Sequence, residues 1–346
     1  MRLCKQGRDI LARCRPLVDA EIGRVLAGRD DIALYEMLRY HLGSAEAGEG
    51  HAPGFAGKRV RGTVCLLSCE AAGATAESAG PAAAAIELLH SFTLLHDDIA
   101  DQDEVRRGRQ TVWRRWGIGQ AITAGDALFA LANLAVSRPQ RAGVSADTVS
   151  GVLRELNEAT LAVCEGQQLD LSYEGRADVG IEGYLAMIER KTAALFAAAA
   201  AIGAQVADAP TDKQEGLRAF GHHLGLGYQI RDDILGIWGD PKEMGKPAGS
   251  DLRRNKRSLP IVHALGARSA EEGKAFADRL SRGLATDEEA AAVAGEMEEM
   301  GSRAFCERMA GESLERALQV LEDAGLCGEP AAPLRTLASY LMERTQ

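Results

Sequence analysis

The sequence predicts an all-α fold, and three observations carry that expectation. Apolar residues recur at three- and four-residue spacing along most of the 346 residues, the period of helices with one buried face. Alternating Val, Ile and Tyr runs are scarce and aromatics make up only 5% of the chain, which leaves strands little to build on. Breaks rich in Gly, Pro and Asp then fall at helical rather than strand intervals, at "GSAEAGEGHAPGFAGK" (43–58), "SRPQRAG" (137–143), "EGRADVG" (174–180) and "GDPKEMGKPAGSD" (239–251).

In chain order, helices are expected at 8–26 and 31–43, then at 59–74 and 76–100 beyond the first Gly-rich break. The pattern continues at 119–137, 145–172 and 181–206. Within the last of these, "TAALFAAAAAIGAQVA" (192–207) is too short and too rich in Ala for a membrane span and reads as a tightly packed buried helix. Further helices are expected at 212–238, 257–267, 270–283, 300–325 and 330–344. No fixed-period repeat or low-complexity linker divides the chain, so 1–346 reads as one domain. The breaks at 43–58 and 239–251 are long for connectors and suit loops that cover a ligand.

Hydrophobic content of 46% with 26% charged residues is that of a soluble globular protein. A net charge of −10 argues against binding nucleic acid or anionic membrane. Seven scattered cysteines, with Cys65 and Cys69 one turn apart and no second pair, read as buried thiols in a reduced cytoplasm rather than a zinc site. The start, "MRLCKQGRDILARCRPLVDAEI", lacks the continuous apolar stretch of a secretory signal. Neither export nor a transmembrane segment is expected.

The chemistry concentrates in "LLHDDIADQDEVRRG" (94–108). On a helix, Asp97, Asp98 and Asp101 share the last turn of one face. They repel one another, and the C-terminal end of the helix dipole adds to the cost. A lone acidic helix end is usually only solvated. Here a second pair, Asp232 and Asp233 in "YQIRDDILGIWGD" (228–240), also closes an apolar helix. Two such clusters facing across a bundle suit Mg²⁺, which takes oxygen ligands and keeps positions for water and phosphate. The cations fit a diphosphate. Lys58 and Arg61 in "GKRVRG" (57–62) lie one turn apart at a helix start. Arg106 and Arg107 follow the first cluster, Lys191 lies in "ERKTAALF", and Lys246 and Lys256 lie in or just beyond the break after the second. Arg59, Arg109, Arg253 and Arg254 read as ordinary surface cations. The total exceeds what one diphosphate needs, which points to two anionic substrates. No Ser/His/Asp or Cys/His arrangement suggests a nucleophile.

Taken in order, "GKRVR", "ELLHSFTLLHDDIADQDEVRRG", "EGQQLDL", "ERKTAALF", "GYQIRDDILG" and "GKPAGSDLRRNKRSLP" resemble the successive motifs of the trans-isoprenyl diphosphate synthases (polyprenyl synthetases), over about 57–260. The resemblance implies an isoprenoid-synthase-type helical bundle around a deep central cavity, usually a homodimer, that condenses an allylic diphosphate with isopentenyl diphosphate head to tail. It implies that Asp97, Asp98, Asp101 and Asp232 bind Mg²⁺, three ions with the diphosphate, with Asp233 in the water shell. It assigns Arg106, Lys191, Lys246 and Lys256 to the allylic diphosphate, and Lys58, Arg61, His90 and Arg107 to isopentenyl diphosphate. Thr192 and Gln229 would face the developing carbocation.

This sequence departs from the pattern in three places. Gly236 stands where the second motif usually has a third Asp, and Asp240 would substitute if the helix continues that far. Gly62 replaces a usual Pro and Ala56 a usual Gly. The uninterrupted DDxxD spacing resembles archaeal-type geranylgeranyl diphosphate synthases. It implies a C20 product, with C15 and C25 as neighbours, whose growing chain is stopped by Phe92 beside Thr93 and Leu88. Two other readings share these features: a class I terpene cyclase, and a non-catalytic subunit of a heteromeric synthase. Residues 1–30 and 265–346 carry no motif and read as packing helices.

Overall fold

A computed structural model describes residues 2–43, 57–137, 144–240, 249–254, 256–284 and 286–343. The helices are α1 (Arg2–Leu26), α2 (Ala33–Leu42), α3 (Val60–Ala71), α4 (Gly80–Ala100), α5 (Val112–Trp116), α6 (Ile118–Val136), α7 (Ala146–Tyr173), α8 (Ile181–Ile188), α9 (Ala194–Val206) and α10 (Thr211–Trp238). They continue as α11 (Ser250–Arg253), α12 (Leu259–Gly266), α13 (Ala270–Ser281), α14 (Asp287–Glu299), α15 (Ser302–Asp323) and α16 (Ala332–Glu343). The expected all-α architecture is what the chain adopts. Lys246, Ala56 and most of both Gly-rich breaks lie outside the described residues.

Small side chains let the central helices approach closely. Ala198 to Ala201 on α9 are all buried, and α9 packs against α3, α7 and α10. With no long side chain to accommodate, apolar surface meets apolar surface at the density of an organic crystal. On α4, Ala83 to Ile86, Leu88 and Leu89 are fully buried and the helix lies along α6. A satellite cluster of Tyr184, Met187, Ile188, Ile230, Ile234 and Leu259 sits directly beneath the second acidic pair.

Four features differ from the sequence expectation. The stretch 181–206 is not one continuous helix, because a π-helical segment, Glu189–Ala193, joins α8 to α9. α14 occupies a stretch where no helix was expected, although Thr286 and Glu289 form a reciprocal capping box at its start. The helix carrying Asp232 ends at Trp238 with Gly239 extended, so Asp240 leaves the helical face and does not substitute for the missing Asp. Finally, the arginines after the first acidic motif form a hairpin, β1 (Val105–Arg106) with β2 (Arg109–Gln110). Its turn sets Arg107 and Gly108 at positive φ, 52° and 75°, the conformation two-residue hairpins favour.

Among the described residues, α6 is the helix long and apolar enough to cross a bilayer; its Ala121, Ala124, Leu128 and Ala132 are buried within the bundle. The 192–207 stretch is buried as expected. All seven cysteines are free, with Cys14, Cys65, Cys69 and Cys306 buried, and burial raises the Cys14, Cys65, Cys69 and Cys306 thiols.

Candidate active site

The end of α4 brings Asp97, Asp98 and Asp101 together, and the hairpin folds back on them. Arg106 Nε donates to Asp98 Oδ1 at 2.6 Å, while Asp98 Oδ2 is buried with no hydrogen-bond partner. Burial pushes the Asp98 carboxyl up to about 6, against the opposing charge of Arg106. Asp97 is likewise raised by burial, with Lys191 opposing and Asp101 adding. At Asp101 burial again acts upward, but Lys256, aided by Lys191 and Arg254, outweighs it and holds the carboxyl below its ordinary value.

The opposite wall comes from α10 and the segment after it. Asp233 is buried and accepts three hydrogen bonds, from Tyr184 Oη at 2.6 Å, Gln229 Nε2 at 2.9 Å and the Leu259 amide at 2.9 Å. Burial, joined by the charge of Asp251, pushes it up to about 7. Asp233, expected in a water shell, is held by these three protein donors and also lines a cleft. Asp232 is exposed and lines the same cleft with Asp170, Lys191, Gln229, Asp251, Lys256 and Ser258.

Cations bind the two walls to each other. Lys256 Nζ donates to Asp101 Oδ2 at 3.1 Å, and Arg254 Nη1 donates to Asp103 Oδ2 at 3.1 Å and lies 3.6 Å from Asp101. Lys191 Nζ bonds Asp170 Oδ2 at 2.5 Å. The wide π turn sets Lys191 and Thr192 at the cleft together, and Thr192 Oγ1 donates to Gln229 Oε1 at 2.7 Å. π segments recur at functional sites because the extra residue re-aims side chains. This one is accommodated by Gly166, where a Cβ would lie 2.2 Å from the Lys191 amide nitrogen.

A second set of cations gathers beside the hairpin. Arg61 is buried, donates from Nη1 to His90 Nε2 at 3.1 Å and lies over the Phe196 ring at 4.7 Å. His90 is neutral, because burial and then the charges of Arg61 and Arg107 hold it well below the ordinary imidazole value. A Cβ at Gly57 would lie 2.6 Å from Arg107, so Arg107 reaches the stretch that carries Lys58. Arg61, His90 and Arg107 are therefore neighbours, and Lys58 follows Gly57 in the chain. Arg59, read as a surface cation, is instead buried at an αL helix start (φ 51°), with Nε donating to Asp19 at 2.8 Å and Nη2 to the Leu42 carbonyl at 3.0 Å. Arg254 is exposed as expected and also reaches Asp103, while Arg253, half-buried, donates to the Leu284 and Thr286 carbonyls. Arg109 stacks on Tyr40 at 3.6 Å. Gly62, in place of the usual Pro, keeps an amide that donates to Glu87 at 2.8 Å.

Phe92 is half-buried, edge-on to His96 at 4.9 Å and beside Phe129 of α6 at 5.8 Å. Thr93 turns its hydroxyl to the His90 carbonyl, and Leu88 is fully buried. Sequence reasoning missed Asp103, Tyr184, Arg254, Asp251 and Phe129. It also passed over two residues of its own "EGQQLDL" motif: Asp170, and Gln167, whose buried amide has no partner on either atom.

Among the described residues, no three carboxylate, imidazole or thiolate groups already close around one point. The donor set nonetheless fits Mg²⁺. Asp97, Asp98, Asp101 and Asp232 offer only oxygen, and a buried carboxylate oxygen with no partner is a position a hard cation satisfies.

The helical bundle thus brings carboxylates from the end of α4 and cations from the segment after α10 to one cleft. The polyprenyl synthetase family matches residues 51–297, and the chain belongs to that family. It is 37% identical to a (2E,6E)-farnesyl diphosphate synthase of Mycobacterium tuberculosis over 347 residues, 99% of this chain and 95% of that protein. It is 39% identical to a geranylgeranyl diphosphate synthase of the same organism over 321 residues, 92% of this chain and 89% of that protein. The crystal structure of a polyprenyl synthetase from Streptomyces coelicolor superposes with a TM-score of 0.84 at 36% identity, covering 98% of both chains.

Proposed function

We propose that this chain joins an allylic diphosphate to isopentenyl diphosphate head to tail, giving a trans-polyprenyl diphosphate. One observation carries the reading: Lys256 and Arg254, from the segment after the second acidic pair, reach Asp101 and Asp103 of the first. Acid and base from distant parts of the chain meet at one cleft, which a merely solvated helix end would not require.

Mg²⁺ held by Asp97, Asp98, Asp101 and Asp232, three ions with the diphosphate, would stabilise the charge of the departing diphosphate. Arg106, Lys191, Lys256 and Lys246 hold the allylic diphosphate in this reading, with Arg106 and Lys191 already anchored by Asp98 and Asp170. Lys58, Arg61, His90 and Arg107 hold isopentenyl diphosphate. His90, neutral and accepting from Arg61, leaves its other ring nitrogen to donate to an anion. Thr192 commits its hydroxyl proton to Gln229, so its oxygen lone pairs face a developing cation. The alkene attacks and the released diphosphate takes the proton, so no side-chain nucleophile is needed. The retained isopentenyl diphosphate cations favour this over a terpene cyclase, and the intact acidic and lysine residues favour it over a non-catalytic subunit. One continuous domain, a homodimeric assembly and a cytoplasmic location complete the reading.

For product length we propose C20, with Phe92 and its partner Phe129 as the stop. Purified protein is incubated with Mg²⁺, isopentenyl diphosphate and each allylic primer, and the products are sized. Linear prenyl diphosphates are expected, shifting to longer chains in Phe92→Ala. Cyclised hydrocarbon from a single substrate would refute the reaction, and an unchanged distribution in the variant would refute Phe92 as the stop.

A further inference from the structure

Three consecutive residues at the end of α2 each hold a different element that carries a proposed isopentenyl diphosphate contact. Tyr40 holds the hairpin. Its Oη donates to the Gln110 carbonyl of β2 at 2.9 Å, and its ring lies beneath the guanidinium groups of Arg109 at 3.6 Å and Arg115 at 4.9 Å, edge-on to Trp116 at 5.0 Å. Arg109 is the cross-strand partner of Arg106, and Arg107 sits in the turn between them. His41 holds α4: its Nε2 donates at 3.0 Å to the carbonyl of Ser91, the residue that follows His90. Leu42 holds the start of α3: its carbonyl accepts from Arg59 Nη2 at 3.0 Å, and Arg59 stands between Lys58 and Arg61 in the chain.

Helix geometry makes this arrangement specific. Successive residues point about 100° apart around a helix, so three in a row reach three elements only where the helix end is set among them. The last carbonyls of a helix have no partner within it, and the buried guanidinium of Arg59 satisfies that of Leu42. Arg39, one residue earlier, ties the same turn to the end of α1 and the stretch beyond it through the Leu26 and Arg29 carbonyls, both at 3.3 Å. His41 stays uncharged, because burial and then the charges of Arg106 and Arg107 hold it down at about 3. It therefore adds a hydrogen bond to this region and no further repulsion among the cations.

We propose that Tyr40 and His41 are positioning residues for isopentenyl diphosphate: the last turn of α2 sets Arg107 on the hairpin, His90 on α4, and Lys58 and Arg61 at the start of α3 at fixed distances from one another. The inference rests on the proposed role of those four residues and adds the element that keeps them in register. Lys191 and Lys256, assigned to the allylic diphosphate, are carried by the π segment and by the segment after α10, and Arg106 is anchored separately by Asp98. The end of α2 therefore governs one substrate of the two.

The test measures isopentenyl diphosphate binding to the full chain by titration calorimetry without an allylic primer, so that no turnover occurs, together with KM for each substrate and melting curves. Tyr40→Leu and His41→Leu are each expected to weaken isopentenyl diphosphate binding about tenfold and to raise its KM in step, while KM for the allylic primer stays within about twofold. Tyr40→Phe keeps the ring beneath both arginines, and His41→Gln keeps an amide that can reach Ser91, so each should recover most of the affinity. In an Arg107→Gln background Tyr40→Leu should cost less than about twofold more, because residues acting through one another are not additive. Arg115→Gln, at the exposed side of the Tyr40 ring, leaves the interior untouched and is expected to weaken binding about threefold, which keeps the test open if a leucine variant does not fold. Unchanged affinity in the variants that fold, equal rises in KM for both substrates, or full additivity with Arg107→Gln overturns the assignment. If the unsubstituted protein fails to bind isopentenyl diphosphate, the reading of Lys58, Arg61, His90 and Arg107 falls and takes this inference with it.

Discussion

At Asp98 one carboxylate oxygen is held by Arg106 and the other faces no donor. Burial pushes this group up to about 6 and Asp233, helped by Asp251, up to about 7. An unfolded aspartate titrates near 3.9, so between roughly pH 4 and 7 the folded protein keeps protons that the unfolded chain has lost. Stability from this source is fully present below the unfolded value and is lost as pH rises through the folded values. Metal-free protein in chelator is therefore expected to melt higher at about pH 5.5 than at about pH 8, and Asp98→Asn should flatten the difference. Calorimetry over a pH series reads this directly, and an Asp98→Asn profile parallel to the unsubstituted one would remove Asp98 from the account. At this scale the aspartates were legible, because charge type and helical spacing mark them, whereas His90 entered only through the family resemblance. Arg59 was not legible. Nothing in "GKRVR" distinguishes it from Lys58 and Arg61, and its partners Asp19 and Leu42 are far away in sequence.

Helices were the legible unit among the elements, since long apolar periodicity survives errors of a residue or two at the ends. What escaped were departures from that period. The π segment at Glu189–Ala193 inserts one residue into a helix whose apolar pattern on both sides is otherwise continuous, so 181–206 looked like a single rod. α14 was missed because its outward side is rich in Glu, although Thr286 three before Glu289 signalled the cap. The π segment matters because it presents Lys191 and Thr192, and it depends on Gly166. Gly166→Ala would set a Cβ 2.2 Å from the Lys191 nitrogen and 2.6 Å from its Cα, and backbone cannot rotate away. Overpacking of this kind costs about 1–3 kcal/mol, and a displacement near 1 Å at a reacting group costs up to about 100-fold in rate. The variant should fold, melt lower and lose turnover by one to two decades (about 10- to 100-fold). Turnover equal to the unsubstituted enzyme would show that the close approach does not position Lys191.

Across the whole molecule, the acidic cluster occupies one end of α4 while several large apolar side chains of α6 and α7 stand exposed. Ile118, Ile122 and Leu134 on α6 and Leu161 and Leu171 on α7 are all exposed, Leu161 to 62%. The two helices are joined by an Asn157–Asn133 hydrogen bond of 2.8 Å, so these side chains move as one surface. In the proposed homodimer these exposed side chains would meet a second copy about a two-fold axis. Phe129 extends from α6 to Phe92 on α4, so the helix that would meet the partner also backs the proposed product stop. Each substitution in such an interface acts twice. Leu161→Glu places a charge on both sides of the axis and is expected to convert a species of twice 36.8 kDa into one of 36.8 kDa in sedimentation velocity. The altered backing of Phe92 should broaden the product distribution along with it. An unsubstituted protein that sediments as a single chain would refute the dimer, and a monomeric variant with unchanged products would separate assembly from chain-length control.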